Sequence, residues 1–379
     1  MDAYTTPEYF HCITDSLFQK SVYEPEADTF LFLESLDREK SYLSRVISCK
    51  KDCCIVEVGC GSGVVITHLF ALLQSIDLLN TPGSGDSIQN ENQSSAIVLH
   101  HSGGDSTSQI PLNRRRFYAI DVNPLALQAT AFTWDRTLKK YFWRDVEKFM
   151  VQDNSSQGSS GVEALTLDPN VVNLYTYPGK SEGVGERISS IETAAAGIYM
   201  DAKAPIKSSC ASPVLWPYTL SLLEGDLLHA LKDLQGPFRV RSCDVVLFNP
   251  PYVPTSTEEL EQALTRKDLI TSAWCGGERG RVVLDRFIEM LPHYLSRDGC
   301  CYIVLIKEND IADVYRKIQV EFHLYHHLTT CMDGNGSTLE DQPTESYHGE
   351  ADLMHIVCCT DRYTGEHLSI HRISYKGSS

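Results

Sequence analysis

Three absences narrow what this chain can be. No apolar run is long enough to span a bilayer; the longest, such as Cys300–Ile306, have the length of a strand. The first twenty residues lack both a basic start and an apolar core, so no signal peptide is expected. Metal-ligand spacing is missing too. Thirteen cysteines are present, yet none forms a Cys-x-x-Cys pair, and the doublets Cys53–Cys54, Cys300–Cys301 and Cys358–Cys359 sit within apolar runs. They read as small buried hydrophobes of a reducing compartment, with no metal site in this chain. The cytoplasm is the expected location, with the nucleus second. Positive charge is also scarce: 33 Lys and Arg stand against 50 Asp and Glu, a formal net charge of −17. Such a surface repels a naked polyanion, so a nucleic-acid partner is disfavoured. The one basic run, Arg114–Arg116, leads into a strand and reads as its solvated entry.

What is present alternates between two periods. Cys53–Val58, Phe117–Ile120, Asp244–Phe248, Cys301–Ile306 and Leu353–Cys358, expected as the last strand, are apolar runs of strand length. Val64–Leu73, Pro124–Thr137 and Val282–Leu295 carry helical spacing, with a proline in the first turn of the second. This βαβ alternation predicts a doubly wound α/β fold. Three polar, Ser- and Gly-rich stretches interrupt it, at 81–111, 151–213 and 333–350. They are expected to be largely disordered insertions in one domain spanning 1–379, with room for a small module in 151–213.

Two constellations carry chemistry. The first strand runs into Glu57-Val58-Gly59-Cys60-Gly61-Ser62-Gly63 at the start of a helix. Glycines there let a ligand approach the backbone. Val64 stands where a dinucleotide fingerprint needs its third glycine, so a methionine-bearing nucleoside fits better, with Glu57 near its cationic amine. Asp121 closes the next strand, where it can grip a ribose diol or cap the following helix. Asp226, followed by Leu227, can accept from an adenine amino group or act as a plain cap. The second constellation is Asn249-Pro250-Pro251-Tyr252-Val253, directly after the strand Asp244–Phe248. Two prolines make the turn rigid. The Asn249 side-chain oxygen and the Pro250 carbonyl can both accept from a planar –NH₂, and Tyr252 can pack on it. An electrophilic methyl then needs chiefly in-line positioning.

On these residues the chain resembles class I, Rossmann-like S-adenosylmethionine methyltransferases, whose sheet has seven mostly parallel strands. More narrowly it resembles the HemK-related glutamine methyltransferases in their eukaryotic form. The similar segments are Val22–Phe30, Phe248–Val253, Ala273–Arg281 with Asp285–Phe287, and Ile306–Asn309. Glu26-Ala27 reverses the family's usual order there, and Cys60 and Cys275 replace a serine and an alanine. The resemblance implies that Thr29, Glu57, Gly59, Gly61, Gly63, Asp121, Asp226, Leu227 and Asn249 line an S-adenosylmethionine site. It implies a substrate glutamine, in the Gly-Gly-Gln loop of a class I translation release factor, held by Asn249, Pro250, Pro251, Tyr252 and Val253. It also implies a small zinc-binding activator subunit on an apolar edge of the sheet, and no helical docking domain before the first strand. Trp274 is expected as buried packing and Arg281 as a helix-start ion pair. Adenine-N6 methylation of DNA or RNA, lysine methylation and a silent cofactor-binding scaffold remain the alternatives.

Overall fold

The computed structural model describes residues 6–48, 50–79, 114–142, 174–177, 218–232, 241–266, 268–333 and 352–377. Segment 81–111 lies outside these residues, as does 333–350 beyond Asp333. Of 151–213 only Leu174–Tyr177 is described. Eight strands form one sheet: β1 (Asp52–Val58), β2 (Arg114–Asp121), β3 (Leu174–Tyr177), β4 (Tyr218–Glu224), β5 (Cys243–Phe248), β6 (Leu295–Ile306), β7 (Met354–Tyr363) and β8 (His367–Tyr375). Their order is β3-β4-β2-β1-β5-β6-β8-β7, parallel except where β8 meets β6 and β7. The expected seven strands are there, and β3 extends the edge parallel to β4, within a stretch expected to be largely without structure.

Alternation along the strands buries both faces, which is why they read as continuous apolar runs. Ile55, Phe117, Val245 and Leu247 pack under α1 (Ala27–Arg38), α2 (Lys40–Ser48), α3 (Val64–Leu79) and α4 (Pro124–Thr137). Val56, Ile120, Val246 and Phe248 face α7 (Val282–Tyr294) and α8 (Ile311–Asp333). Between β5 and α7 lie α5 (Thr257–Arg266) and α6 (Leu269–Trp274). Helix α4 starts where the Asn123 side chain accepts from Leu125 N at 3.0 Å, with Pro124 in the first turn.

The structure corrects three expectations. The last strand is β8, not the Leu353–Cys358 run. Its residues His367–Tyr375 hid from an apolar pattern because their polar side chains are buried with partners. His371 lies between the Tyr315 hydroxyl, 2.6 Å from Nδ1, and Ser369 Oγ, 2.8 Å from Nε2; burial pushes its pKa down to about 4. Arg372 lies 3.6 Å over the Tyr42 ring and pairs with Glu39. The second correction concerns the basic run: Arg115 is fully buried and donates to the Lys50 and Ile47 carbonyls at 2.8 and 3.4 Å, closing the end of α2. Arg114 is exposed, and Arg116, bonded to Asp52 at 2.8 Å, stays near the surface. Of the ten cysteines whose side chains are described, eight are buried; Cys358 is exposed and Cys359 half-buried.

The third is Gly63. Its amide donates to the Cys60 carbonyl at 2.7 Å, its φ is +74°, and a Cβ there would lie 2.5 Å from the Thr130 Cα. This glycine seats α4 against the β1 turn and stands outside the cavity lining. Gly63→Ala should therefore destabilise the fold by about 2–4 kcal/mol, combining left-handed strain with overpacking. A lower denaturant midpoint at unchanged slope checks this.

Candidate active site

Register puts the carboxyl ends of four neighbouring strands level. Val58 pairs with Ile120 and with Phe248, and Asp121 pairs with Glu224. The turns that follow β1, β2, β4 and β5 therefore open onto one crevice, where the strand order reverses around β1. A cavity of about 700 Å³ occupies it. Of the residues singled out from sequence, Thr29, Glu57, Gly59, Gly61, Asp121, Asp226, Leu227, Asn249, Pro250, Pro251, Tyr252 and Val253 line this cavity, and Gly63 does not.

One end is acidic and built on the β1 turn. Glu57 is buried, and its Oε2 accepts from Ile66 N at 3.1 Å in the first turn of α3. Burial holds its carboxyl well above the usual range. Asp121 accepts from Gly61 N at 3.0 Å and from Asn123 N at 2.9 Å, and burial pushes it up to about 6. A carboxylate has about four acceptor sites, so both groups keep capacity for a ligand with donors or a positive charge. No atom stands within 4 Å of where a Gly61 Cβ would be, so a ligand can lie on that backbone. Asp226 is different. It is exposed and paired with Arg286 at the cavity rim, while Leu227 beside it is buried, in a left-handed conformation at φ +52°.

The other end is the Asn249–Tyr252 loop, and its orientation comes from a residue within the Val22–Phe30 segment. Asp28, buried in the first turn of α1, accepts from four donors: Thr29 N at 2.7 Å, Thr29 Oγ1 at 3.4 Å, Asn249 Nδ2 at 2.8 Å and the Tyr252 hydroxyl at 3.3 Å. Because Asp28 takes the amide nitrogen, Asn249 Oδ1 points elsewhere; it is buried and has no hydrogen-bond partner. A buried acceptor without a donor is costly, and here it lies in a cavity wall. Burial and the facing carboxylates of Asp28 and Glu366 drive the Tyr252 hydroxyl far above its ordinary range, so it remains a donor.

A second tier of residues supports this loop. Val253 N donates to Trp274 O at 3.1 Å, and Gly276 N donates back to Val253 O at 2.9 Å. Arg281 pairs with Asp285 and Asp313, as expected of it, whereas Trp274 is half-buried and lines the cavity. Tyr23 donates to Glu26 at 3.1 Å. Glu366, in the β7–β8 turn, also lines the cavity; its strand was missed, so nothing in the sequence pattern pointed to it.

The chain was compared with known proteins. No family model matches it. It is 38% identical to methyltransferase HEMK2 of Mus musculus over 95 residues, covering 25% of this chain and 40% of that protein. The eRF1 methyltransferase catalytic subunit mtq2 of Schizosaccharomyces pombe is 39% identical over 77 residues, covering 20% of this chain and 32% of that protein. The chain thus spans less than half the length of these relatives. A Methanocaldococcus jannaschii protein described as a protein N5-glutamine methyltransferase is 32% identical over 147 residues, covering 38% of this chain and 68% of that protein. Among solved structures, the E. cuniculi Mtq2-Trm112 complex aligns over 94% of this chain and 99% of that chain. Identity is 15% and the TM-score 0.38, too low to carry an argument.

Asp28→Ala leaves buried donors of Thr29, Asn249 and Tyr252 without their acceptor. It should cost about 2–4 kcal/mol, read from chemical denaturation of the purified protein. A loss under about 0.5 kcal/mol would mean that Asp28 does not hold the loop.

Proposed function

The chain belongs to the HemK-related protein N5-glutamine methyltransferases, and on that footing we propose that it methylates the side-chain amide of the glutamine in the Gly-Gly-Gln loop of a class I translation release factor. The observation that carries this reading is the buried, unpartnered Asn249 Oδ1, held in place because Asp28 takes the Nδ2 of the same amide. An acceptor fixed in this way suits one N–H of a planar –NH₂ group. By accepting from that group it favours a more electron-rich nitrogen, and Tyr252 supplies a ring for the amide plane.

The cofactor we assign is S-adenosylmethionine, and the residues present fit it. The open backbone face at Gly61 offers space, and Glu57 and Asp121 offer acceptors for an ammonium and a ribose diol. Thr29 lines the cavity from α1. When bound, this group supplies a methyl on a positively charged sulfur, already electrophilic. The protein's own task is then positioning and exclusion of water. Leu227 forms the adenine end, and we leave Asp226 to its pair with Arg286. Pro250, Pro251 and Val253 shape the substrate side beside Asn249.

Adenine would present a similar –NH₂ to the same loop. Against it, the one cationic side chain lining the cavity among the described residues is Arg286, already paired with Asp226. A lysine would present no planar group to Asn249. We read 81–111, 151–213 and 333–350 as insertions in one methyltransferase domain of the cytoplasm. We also assign a small zinc-binding activator subunit as partner, in keeping with the name of the fission yeast relative as a catalytic subunit.

The test is transfer of radiolabelled methyl from S-adenosylmethionine to a recombinant class I release factor and to its Gln→Ala variant, with and without the activator. Label that vanishes with the Gln→Ala change is expected; a protein that binds cofactor with activator present yet leaves the factor unlabelled overturns the reading. Asn249→Ala should keep cofactor affinity and lower turnover about a hundredfold or more. Cofactor affinity should also depend on pH. Asp121 titrates near 6, above the ordinary aspartate range, and its ionised form accepts from the diol. Affinity should therefore be full above that pH and weaken as pH falls through about 6, while Asp121→Asn should bind weakly at every pH. Isothermal titration between pH 5 and 8 decides this.

A further inference from the structure

One side chain outside the cavity wall bonds three separate backbone segments around the Asn249–Tyr252 loop. Asn309 is fully buried in the short 3-10 turn Lys307–Asn309 after β6. Its Oδ1 accepts from Ile306 N at 2.8 Å. Its Nδ2 donates to the Tyr252 carbonyl at 2.9 Å and to the Arg279 carbonyl at 2.8 Å, with Gly280 O at 3.4 Å. Both ends of the amide are thus committed, and the nitrogen ties the loop after β5 to the turn before α7.

The surroundings depend on this tie. Four described non-glycine residues have positive φ, and two of them flank the Asn309 amide: Arg279 at +55°, whose carbonyl accepts from it, and Asp310 at +55°, the next residue. Such conformations persist only where neighbouring contacts hold them, and they concentrate at functional sites. Gly280, at φ +67°, approaches so closely that an added Cβ would lie 1.8 Å from the Tyr252 carbonyl oxygen. The backbone of Tyr252 is therefore pressed by Gly280 and held by Asn309, while its hydroxyl is held by Asp28 at the other end.

We propose that Asn309 is a positioning residue for methyl transfer: it touches neither ligand, and it sets the Tyr252 backbone so that the Tyr252 ring and Asn249 Oδ1 meet the target amide in line. Misplacing reacting groups by about 1 Å can cost on the order of a hundredfold in rate, so a small loop shift has a kinetic cost well beyond its cost in stability. The inference rests on the methyl-transfer reading above.

Asn309→Asp is nearly isosteric and keeps the acceptor for Ile306 N, but removes both donors facing carbonyls. With the release-factor substrate and activator present, and rates normalised to titrated cofactor sites, we expect kcat to fall about 10–100-fold. Cofactor Kd and substrate KM should stay within about twofold. Gly280→Ala attacks the same contact from the opposite side and should give the same kcat-selective loss, which covers the case in which Asn309→Asp does not fold. The decisive readout is a cycle with Asn249→Ala: because Asn309 acts through the loop, its substitution should add little to the loss already caused there. A normalised kcat equal to that of the parent, or a full multiplicative loss on the Asn249→Ala background, would overturn the proposal. An inactive parent would instead count against the methyl-transfer reading itself.

Discussion

A buried carboxylate can satisfy several donors at once, and it must do so, because an ionised group without partners is costly away from water. Asp28 meets that demand by accepting from its own helix start, from the Asn249 amide and from the Tyr252 hydroxyl. The order of these contacts matters. The helix-start contact fixes the carboxylate, the carboxylate fixes which way the Asn249 amide faces, and that leaves Oδ1 as a buried side-chain acceptor without a partner. Without Asp28 the amide could face either way, and the loop would offer a donor as readily as an acceptor. The recognition chemistry of the site thus depends on a residue that makes no part of the proposed hydrogen bond to substrate.

The same cavity is strongly acidic. Glu57 and Asp121 lie at one end, and Asp28 and Glu366 face Tyr252 at the other. Burial raises the carboxyls of Glu57, Asp121 and Glu366. Each is therefore held in a state where a positive ligand lowers the cost of its charge. A cationic cofactor suits this electrostatic shape; a phosphodiester does not.

Much of this was legible in sequence, for identifiable reasons. Parallel strands buried on both faces appear as apolar runs, so β1, β5 and the core of β6 stood out, and the residues at their carboxyl ends marked the crevice. The Asn-Pro-Pro-Tyr loop was visible because two adjacent prolines have few other uses. What stayed hidden was polar and buried. His371, Arg372 and Ser374 disguised β8, and with it Glu366, because hydrogen bonding inside the protein leaves no apolar signature. Arg115 was misread for the same reason. Gly63 shows another limit: three glycines in one turn look alike in sequence, yet one of them makes room for Thr130. Asn309 lay in a recognisable segment, but its task needs the three-dimensional meeting of β6, the β5 loop and the turn before α7.

The clasp between α1 and the β7–β8 hairpin has a consequence for how the protein comes into being. Helix α1 carries Asp28, and it is fastened to the final hairpin by Glu34 with Arg362; the residue just past its end, Glu39, pairs with Arg372, 333 residues further along the chain. While the chain is being synthesised, β1 to β6 can pair before α1 has this clasp, whereas β7 has only β8 to pair with. The far end of α1 is then fastened last, after that hairpin emerges. A chain released early would carry the glycine turn and the proline loop but not the clasp on α1. A chain cut short before residue 367 would lack Arg372, and with it the pair that fastens Glu39 beyond the end of α1.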